Sequence, residues 1–282
     1  MIIVGLMIGG DPGDVLAIGN QNTVYEEIDE TLQEHNIEKV DMDVAVGKFT
    51  IKRGEHYSIK GKGNVKQSVV NGTWKLEENY RKIGFFIFKI PVTWNWGLWK
   101  KDYGNYEITI PYDADLKELK LDIGAGEVQL WEVKAKSLHV DLGAGDFKGH
   151  KMNAVEGKIS VGAGKATLND VVFEDKCSLD VGMGDLDVKN GDFTELKIEN
   201  GAGSTKIQGK LQGKVVVDNG VGDIKINCEG KKENYAFHID NGLGTIKING
   251  ENYSDQNFSA GAQQLGEFDV DNGVGSITIS FE

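Results

Sequence analysis

From Leu119 onward the chain alternates apolar and polar residues, breaks at a Gly-x-Gly, and resumes the alternation, eight times over. The segments LDIGAGEVQL, VDLGAGDFKG, ISVGAGKATL, LDVGMGDLDV, IENGAGSTKI, VDNGVGDIKI, IDNGLGTIKI and VDNGVGSITI align on their glycine pairs. Their first glycines are Gly124, Gly143, Gly162, Gly182, Gly201, Gly220, Gly242 and Gly273, spaced by 19, 19, 20, 19, 19, 22 and 31 residues. Counted from that glycine, apolar residues recur at −5, −3, +1, +4 and +6, a period of two on each side of the break. That pattern predicts strand, turn, strand. Position −3 is apolar from Leu121 to Val270 without exception, and position +6 is apolar in every repeat but that of Gly149. These two positions predict the inward face, and the residue between the glycines is expected as a small apolar knob pointing in at the corner.

A repeat of about twenty residues that contains no helical period predicts rungs stacked in parallel about 4.8 Å apart. The expected fold is all-β, a single-stack parallel β-solenoid with an N-terminal β-meander or hairpin insertion. The segment Met42–Ile51 matches the repeat with Ala45 in place of the first glycine, which predicts an outlying rung. Between it and Ile110 the repeat disappears. Asn71-Gly72, set between two β-prone runs, predicts a tight hairpin. The apolar run Phe85–Ile90, an aromatic loop with Trp94, Trp96 and Trp99, and a strand over Tyr106–Ile110 follow.

The chain is thus expected to divide into residues 1–14, 15–41, 42–111 and 112–282. The first is an apolar remnant of a membrane anchor or signal-like segment, and the second a linker with a short acidic helix over Thr23–Glu34. The third holds the outlying rung and an aromatic-rich meander, and the last is the solenoid. The ten residues Met1–Gly10 are too few to cross a bilayer, which takes about 20. The expectation is a gene product that starts upstream and a protein on the extracytoplasmic side of the cell membrane.

Composition narrows the function classes. Thirty-eight glycines against three prolines speak for one kind of tight turn rather than for linkers. A net charge of −13 excludes nucleic acid in the absence of a basic stripe. Arg53 and Arg81 are the only arginines, so bidentate phosphate recognition is absent from the repeats. Gly-x-Gly alone, followed by a strand and not a helix, is no dinucleotide fingerprint. Cys177 and Cys228 are too few for a disulfide scaffold, and Cys177 falls on an inward position.

Three rows remain as candidate chemistry. Position −2 is Asp122, Asp141, Ser160, Asp180, Glu199, Asp218, Asp240 and Asp271, an outward row whose like charges call for compensation. Lys120, Lys158 and Lys197 at −4 and Lys206, Lys225 and Lys247 at +5 supply it, and a weak divalent-cation ladder is the alternative. Position −1 changes from Ile123, Leu142, Val161 and Val181 to Asn200, Asn219, Asn241 and Asn272, which predicts an internal amide ladder. His35, His56, His139, His150 and His238 form no ligand spacing, so no metal, cofactor or catalytic group is expected. The aromatic cluster Phe85, Phe86, Phe88, Trp94, Trp96, Trp99, Tyr103 and Tyr106 is read as covering the solenoid's open end. Its alternative role is a contact surface for carbohydrate or the membrane interface.

The run Ile110-Pro111-Tyr112-Asp113-Ala114-Asp115-Leu116 leading into tandem Gly-x-Gly rungs resembles the bacterial putative-adhesin family of β-strand-repeat proteins, from Met42 to the C-terminus. The resemblance implies a β-solenoid often carried behind one N-terminal membrane helix, with no established activity and no catalytic residues to transfer. The expected function is a non-enzymatic, envelope-associated adhesin or interaction scaffold whose partner is an envelope protein or glycan. The alternatives are a polysaccharide-processing β-helix enzyme and a self-assembling solenoid that associates through its ends, since the final strand Ile277–Phe281 has no evident cap in the sequence.

Overall fold

Alternation from −5 to −1 and again from +4 to +6 cannot belong to one flat strand. The two runs differ by an odd number of residues, so an unbroken strand would turn one of them outward. The Gly-x-Gly resolves this as a corner. In the computed structural model, which describes residues 26–33, 36–78, 104–254, 256–259 and 265–282, Leu119, Leu121 and Ile123 before the corner and Val128 and Leu130 after it are all buried. The second glycine makes the corner by adopting positive φ, +141° at Gly126 and +151° at Gly184. The first is needed for close approach: a Cβ on Gly182 would lie 2.7 Å from the Gly162 carbonyl oxygen of the rung beneath.

Fifteen strands form one mixed sheet. They are β1 (Glu26–Thr31), β2 (Lys39–Gly54), β3 (Ser58–Gly63), β4 (Val65–Val70), β5 (Thr73–Glu78), β6 (Gly104–Pro111), β7 (Leu116–Trp131) and β8 (Lys134–His150). The long β9 (Asn153–Leu211) runs through three repeats, and β10 (Gly213–Cys228), β11 (Tyr235–Asn241), β12 (Thr245–Ile248), β13 (Glu251–Tyr253), β14 (Gln256–Ser259) and β15 (Gly266–Phe281) follow. The repeats pair in parallel and in register, Leu121 with Val140 and Val140 with Ile159, so like residues stack. Phe173 lies on Phe193 and Phe237 on Phe268, with ring centroids 5.7 and 5.5 Å apart.

The chain is all-β, but the expectation of a purely parallel stack is corrected at both ends. β2 pairs in parallel with β7, Met42 opposite Leu121 and Gly47 opposite Gly126. Beyond β2, a layer split into β5 and β6 continues the parallel pairing. Antiparallel strands then cover that layer: β4 on β5 through the Asn71-Gly72 turn, β3 on β6, and β1 on β3. At the opposite end β14 lies antiparallel on β11 and β13 on β12. Reversed strands stop further parallel addition there and blunt the edges.

Three more expectations are revised. The short helix over Thr23–Glu34 is replaced within the described residues by β1, because a dozen residues make a marginal helix alone while the edge of β3 offers a full hydrogen-bond row. The last strand is not a free terminus. β15 pairs in parallel with β10 on one side and with β11 and β12 on the other, so the C-terminal rung sits between two rungs that precede it in sequence. The sequence also hides a second corner. Glu132, Lys151, Asp170 and Asn190, one per repeat at +8, adopt left-handed φ of 51–57° without being glycine.

Where the repeat starts on Ala45, the Glu78 carboxylate at the end of β5 accepts the Ala45 and Val46 N–H groups at 2.9 and 3.4 Å. Arg53 ties the N-terminal layer to the repeats by donating to the backbone carbonyls of Pro111, Glu132 and Lys134 at 2.5, 3.2 and 3.4 Å.

Candidate functional site

The corners stack into one column, and the residues around it form continuous rows. Inside, the amide ladder is present. Asn200 Nδ2 donates to Asn219 Oδ1 at 2.8 Å, Asn219 Nδ2 to Asn272 Oδ1 at 2.8 Å, and Asn272 Nδ2 to Asn241 Oδ1 at 2.9 Å. Its order, 200–219–272–241, is the spatial order of the rungs. Each donor amide beyond Asn200 also reaches a carbonyl three residues on, Gly222 from Asn219, Gly275 from Asn272 and Gly244 from Asn241. The first amide meets Val181 below it, and there Thr205 donates its hydroxyl to Asn200 Oδ1 at 3.3 Å. Thr205 is fully buried at +4, where every other repeat is apolar. That single polar exception marks the end of the ladder, and the sequence reading passed it over.

Outside, the −2 row runs without a break in register across almost the whole stack. Glu77 opposes Asp43, Asp43 opposes Asp122, and Asp122 opposes Asp141, with Ser160 next. On the amide side Glu199, Asp218, Asp271 and Asp240 oppose one another in turn. Compensation is uneven. Lys197 meets Glu199, whereas Lys120 turns to Asp41 opposite it in the −4 row, at 3.7 Å. Burial first, then the charges of Asp240, Asp218 and Asp269, raise the Asp271 carboxyl above its ordinary value. Burial, followed by Glu199, does the same to Asp180.

The residue between the glycines points outward, which corrects the inward knob expected from the sequence. The parity change happens at the corner itself, so +1 is the outermost point of the bend. Ala125, Ala144 and Ala163 are half-buried there, whereas Met183, Val221, Val274 and Leu243 are 65, 56, 45 and 87% exposed and Ala202 is exposed between them. In spatial order this gives an apolar crest Met183–Ala202–Val221–Val274–Leu243.

The other candidates disperse. His139 lies between Lys120 and Lys158 in the −4 row, and His238 lies opposite Asp269. The intercalated rung sets these two histidines six steps apart, about 29 Å, one step more than sequence order implied. His150 Nδ1 is 3.5 Å from Asp170 Oδ2, and its ring meets that of Trp131 edge-on. Glu127 accepts from Lys148 and Gln129 at 3.0 and 2.6 Å with Lys48 at 3.2 Å, and these donors hold its carboxyl down to about 2. Cys177 and Cys228 are buried and free. Tyr106 is buried, stacked on Phe49 at 5.3 Å, and accepts the Val65 N–H. Phe85, Phe86, Phe88, Trp94, Trp96, Trp99, Tyr103, Arg81, His35 and the segment Met1–Asp14 lie outside the described residues. Among the described residues no three His, Cys, Asp or Glu side chains are placed to hold a metal ion, and no helix is long and apolar enough to cross a membrane.

A putative adhesin from Bacteroides fragilis shares the fold with a TM-score of 0.52 at 12% identity, over 90% of this chain and 97% of that one. A putative lipid binding protein from Parabacteroides distasonis aligns with a TM-score of 0.40 at 14% identity, over 93% of this chain and 98% of that one. A putative adhesin from the same organism aligns at 0.33 and 11% identity over 93% and 98%. No curated protein matches. The family model described as Toastrack DUF4097 matches residues 37–279, from the strand before the first corner to the end of the last rung, and the chain belongs to that family.

Proposed function

We propose that the protein is a non-enzymatic, envelope-associated adhesin-like scaffold, a single stack of parallel rungs held rigid between covered ends. The observation that supports this most is the in-register pairing, which turns each repeat position into a straight outward row several rungs long. Such rows suit display and contact. The polysaccharide-processing alternative finds less support, since the outward acids form a uniform row along a convex corner and Arg53 is engaged with three backbone carbonyls. The name of the Bacteroides fragilis neighbour, a putative adhesin, points the same way.

In this reading the repeats face the outside of the cell membrane and meet an envelope protein or glycan. Treating intact cells with a membrane-impermeant lysine reagent tests it. Labelling of the protein in intact cells, with recovery in the membrane fraction, is expected. A wholly cytosolic, unlabelled protein contradicts it.

A further inference from the structure

The first three main rungs and the last five build the same corner from the same backbone, so the former serve as an internal control for the latter. In the first three the outermost residue is alanine, and the −4 row beside the acids is Lys120, His139 and Lys158. Nothing more is required for the corner to form. In the last five the outermost residue becomes Met183, Ala202, Val221, Val274 and Leu243, while the −4 row becomes Ser178, Lys197, Val216, Asp269 and His238. The −2 row beside the crest is acidic at every step, Asp180, Glu199, Asp218, Asp271 and Asp240, and Asp185 and Asp223 add charge on the other flank at +3. Both changes work against stability. Exposed apolar side chains gain nothing from folding, and the stacked −2 carboxylates repel one another, with Lys197 on Glu199, Lys214 on Asp269 and the +5 lysines Lys206, Lys225 and Lys247 as the nearby cations. Partial burial first, and then the neighbouring carboxylates, raise the carboxyls of Asp180 and Asp271. On four of these five rungs an exposed apolar residue that the corner does not need stands beside a −2 row that is acidic at every step, whereas on the first three rungs the corner residue is alanine and the row ends at Ser160.

We propose that the crest Met183–Ala202–Val221–Val274–Leu243, with its flanking carboxylates, docks a cationic polypeptide segment that carries apolar side chains. Charge complementarity selects that partner: apolar contact along the crest and positive groups on both sides match the surface, and an anionic lipid face or nucleic acid is repelled by it and by the net charge of −13. The crest runs four strand spacings, about 19 Å, which is the reach of about six extended residues. The proposal rests on the reading of the stack as a display surface. Its test is made in solution, so it can fail while the envelope location stands.

The probe is a short synthetic peptide of alternating lysine and leucine, with a glutamate–leucine counterpart, titrated into the whole protein by calorimetry. The lysine peptide is expected to bind, more weakly at high salt, and the glutamate peptide not to bind. Asp218→Asn with Asp271→Asn and Asp240→Asn, and separately Val221→Ser with Leu243→Ser, should each weaken binding about tenfold or more. All five side chains point outward, and the Asn variants should melt no lower than the parent. Asp122→Asn with Asp141→Asn, on the alanine half, should leave the affinity unchanged. No binding of the lysine peptide, equal losses from the two acidic sets, or indifference to the crest substitutions would each overturn the proposal.

Discussion

Gly184→Ala is expected to cost at least about 3 kcal/mol, or to prevent folding, although it adds one methyl group. Gly184 has φ +151°, a conformation that side chains other than glycine's avoid. A Cβ there would lie 1.9 Å from the Gly164 carbonyl oxygen, 2.8 Å from its carbon and 2.9 Å from its nitrogen. All three atoms are backbone, so no rotamer change relieves the contact. Moving the rung does not help either, because Gly203 above approaches the Gly184 carbonyl as closely. Gly222 is equivalent in φ and in contact. Gly250 also has positive φ, +84°, but a Cβ there meets nothing within 4 Å, so Gly250→Ala should cost only about 1 kcal/mol of backbone strain. The sequence marks Gly250 as the tolerant site, and its φ makes β-branched valine a worse choice there than alanine. Chemical denaturation of the three variants compares them, and equal losses would remove the corner assignment.

The second large effect is expected at Asn219. Truncation to alanine leaves the Asn200 Nδ2 donor, the Asn272 Oδ1 acceptor and the Gly222 carbonyl without the partner each has now. Buried groups left unpaired cost about 1–3 kcal/mol each, so a loss of about 3–5 kcal/mol is expected after local relaxation. The contrast is Asn200→Val with Thr205→Val. That pair turns the boundary rung into one more apolar rung like that of Val181, removes Thr205 together with the acceptor it serves, and strands only Asn219 Oδ1. It should cost clearly less. Equal losses would mean that the ladder does not act as a chain of paired amides.

What the sequence made legible is what repeats. Position −3 and position +6 are inward because strand alternation fixes them once the corner is found, and Asn at −1 read as a ladder because four identical residues at one repeat position must stack. The residue between the glycines could not be read in the same way. It lies where the alternation changes parity, and Val221 or Leu243 alone looks like a core residue. The order of the rungs was hidden for a different reason. VDNGVG at 217–222, IDNGLG at 239–244 and VDNGVG at 270–275 offer nearly the same surface to a neighbour, so parallel register works in more than one order. The identity of the first and third was the available signal: the third pairs directly with the first, and the second pairs with the third rather than with the first. The Arg53 and Glu78 contacts were out of reach, since both depend on what lies across the β2 layer and not on local pattern. The same holds for β1, whose pairing partner lies more than twenty-five residues away.

The intercalated C-terminal rung is the feature on which the ladder, the acidic row and the crest all depend, and disulfide formation tests it directly. Asp218 and Asp271 are opposed in register on neighbouring parallel strands, where Cα atoms lie about 4.8 Å apart and a disulfide spans about 4.4–6.8 Å. Asp218 and Asp240 are two strands apart, about 9.6 Å, beyond that reach. Both native thiols, Cys177 and Cys228, are buried. Under mild oxidation, Asp218→Cys with Asp271→Cys should form an intramolecular bond, and Asp218→Cys with Asp240→Cys should stay reduced. The reverse, a bond between positions 218 and 240 and none between 218 and 271, would place the rungs in sequence order and contradict the structure described above.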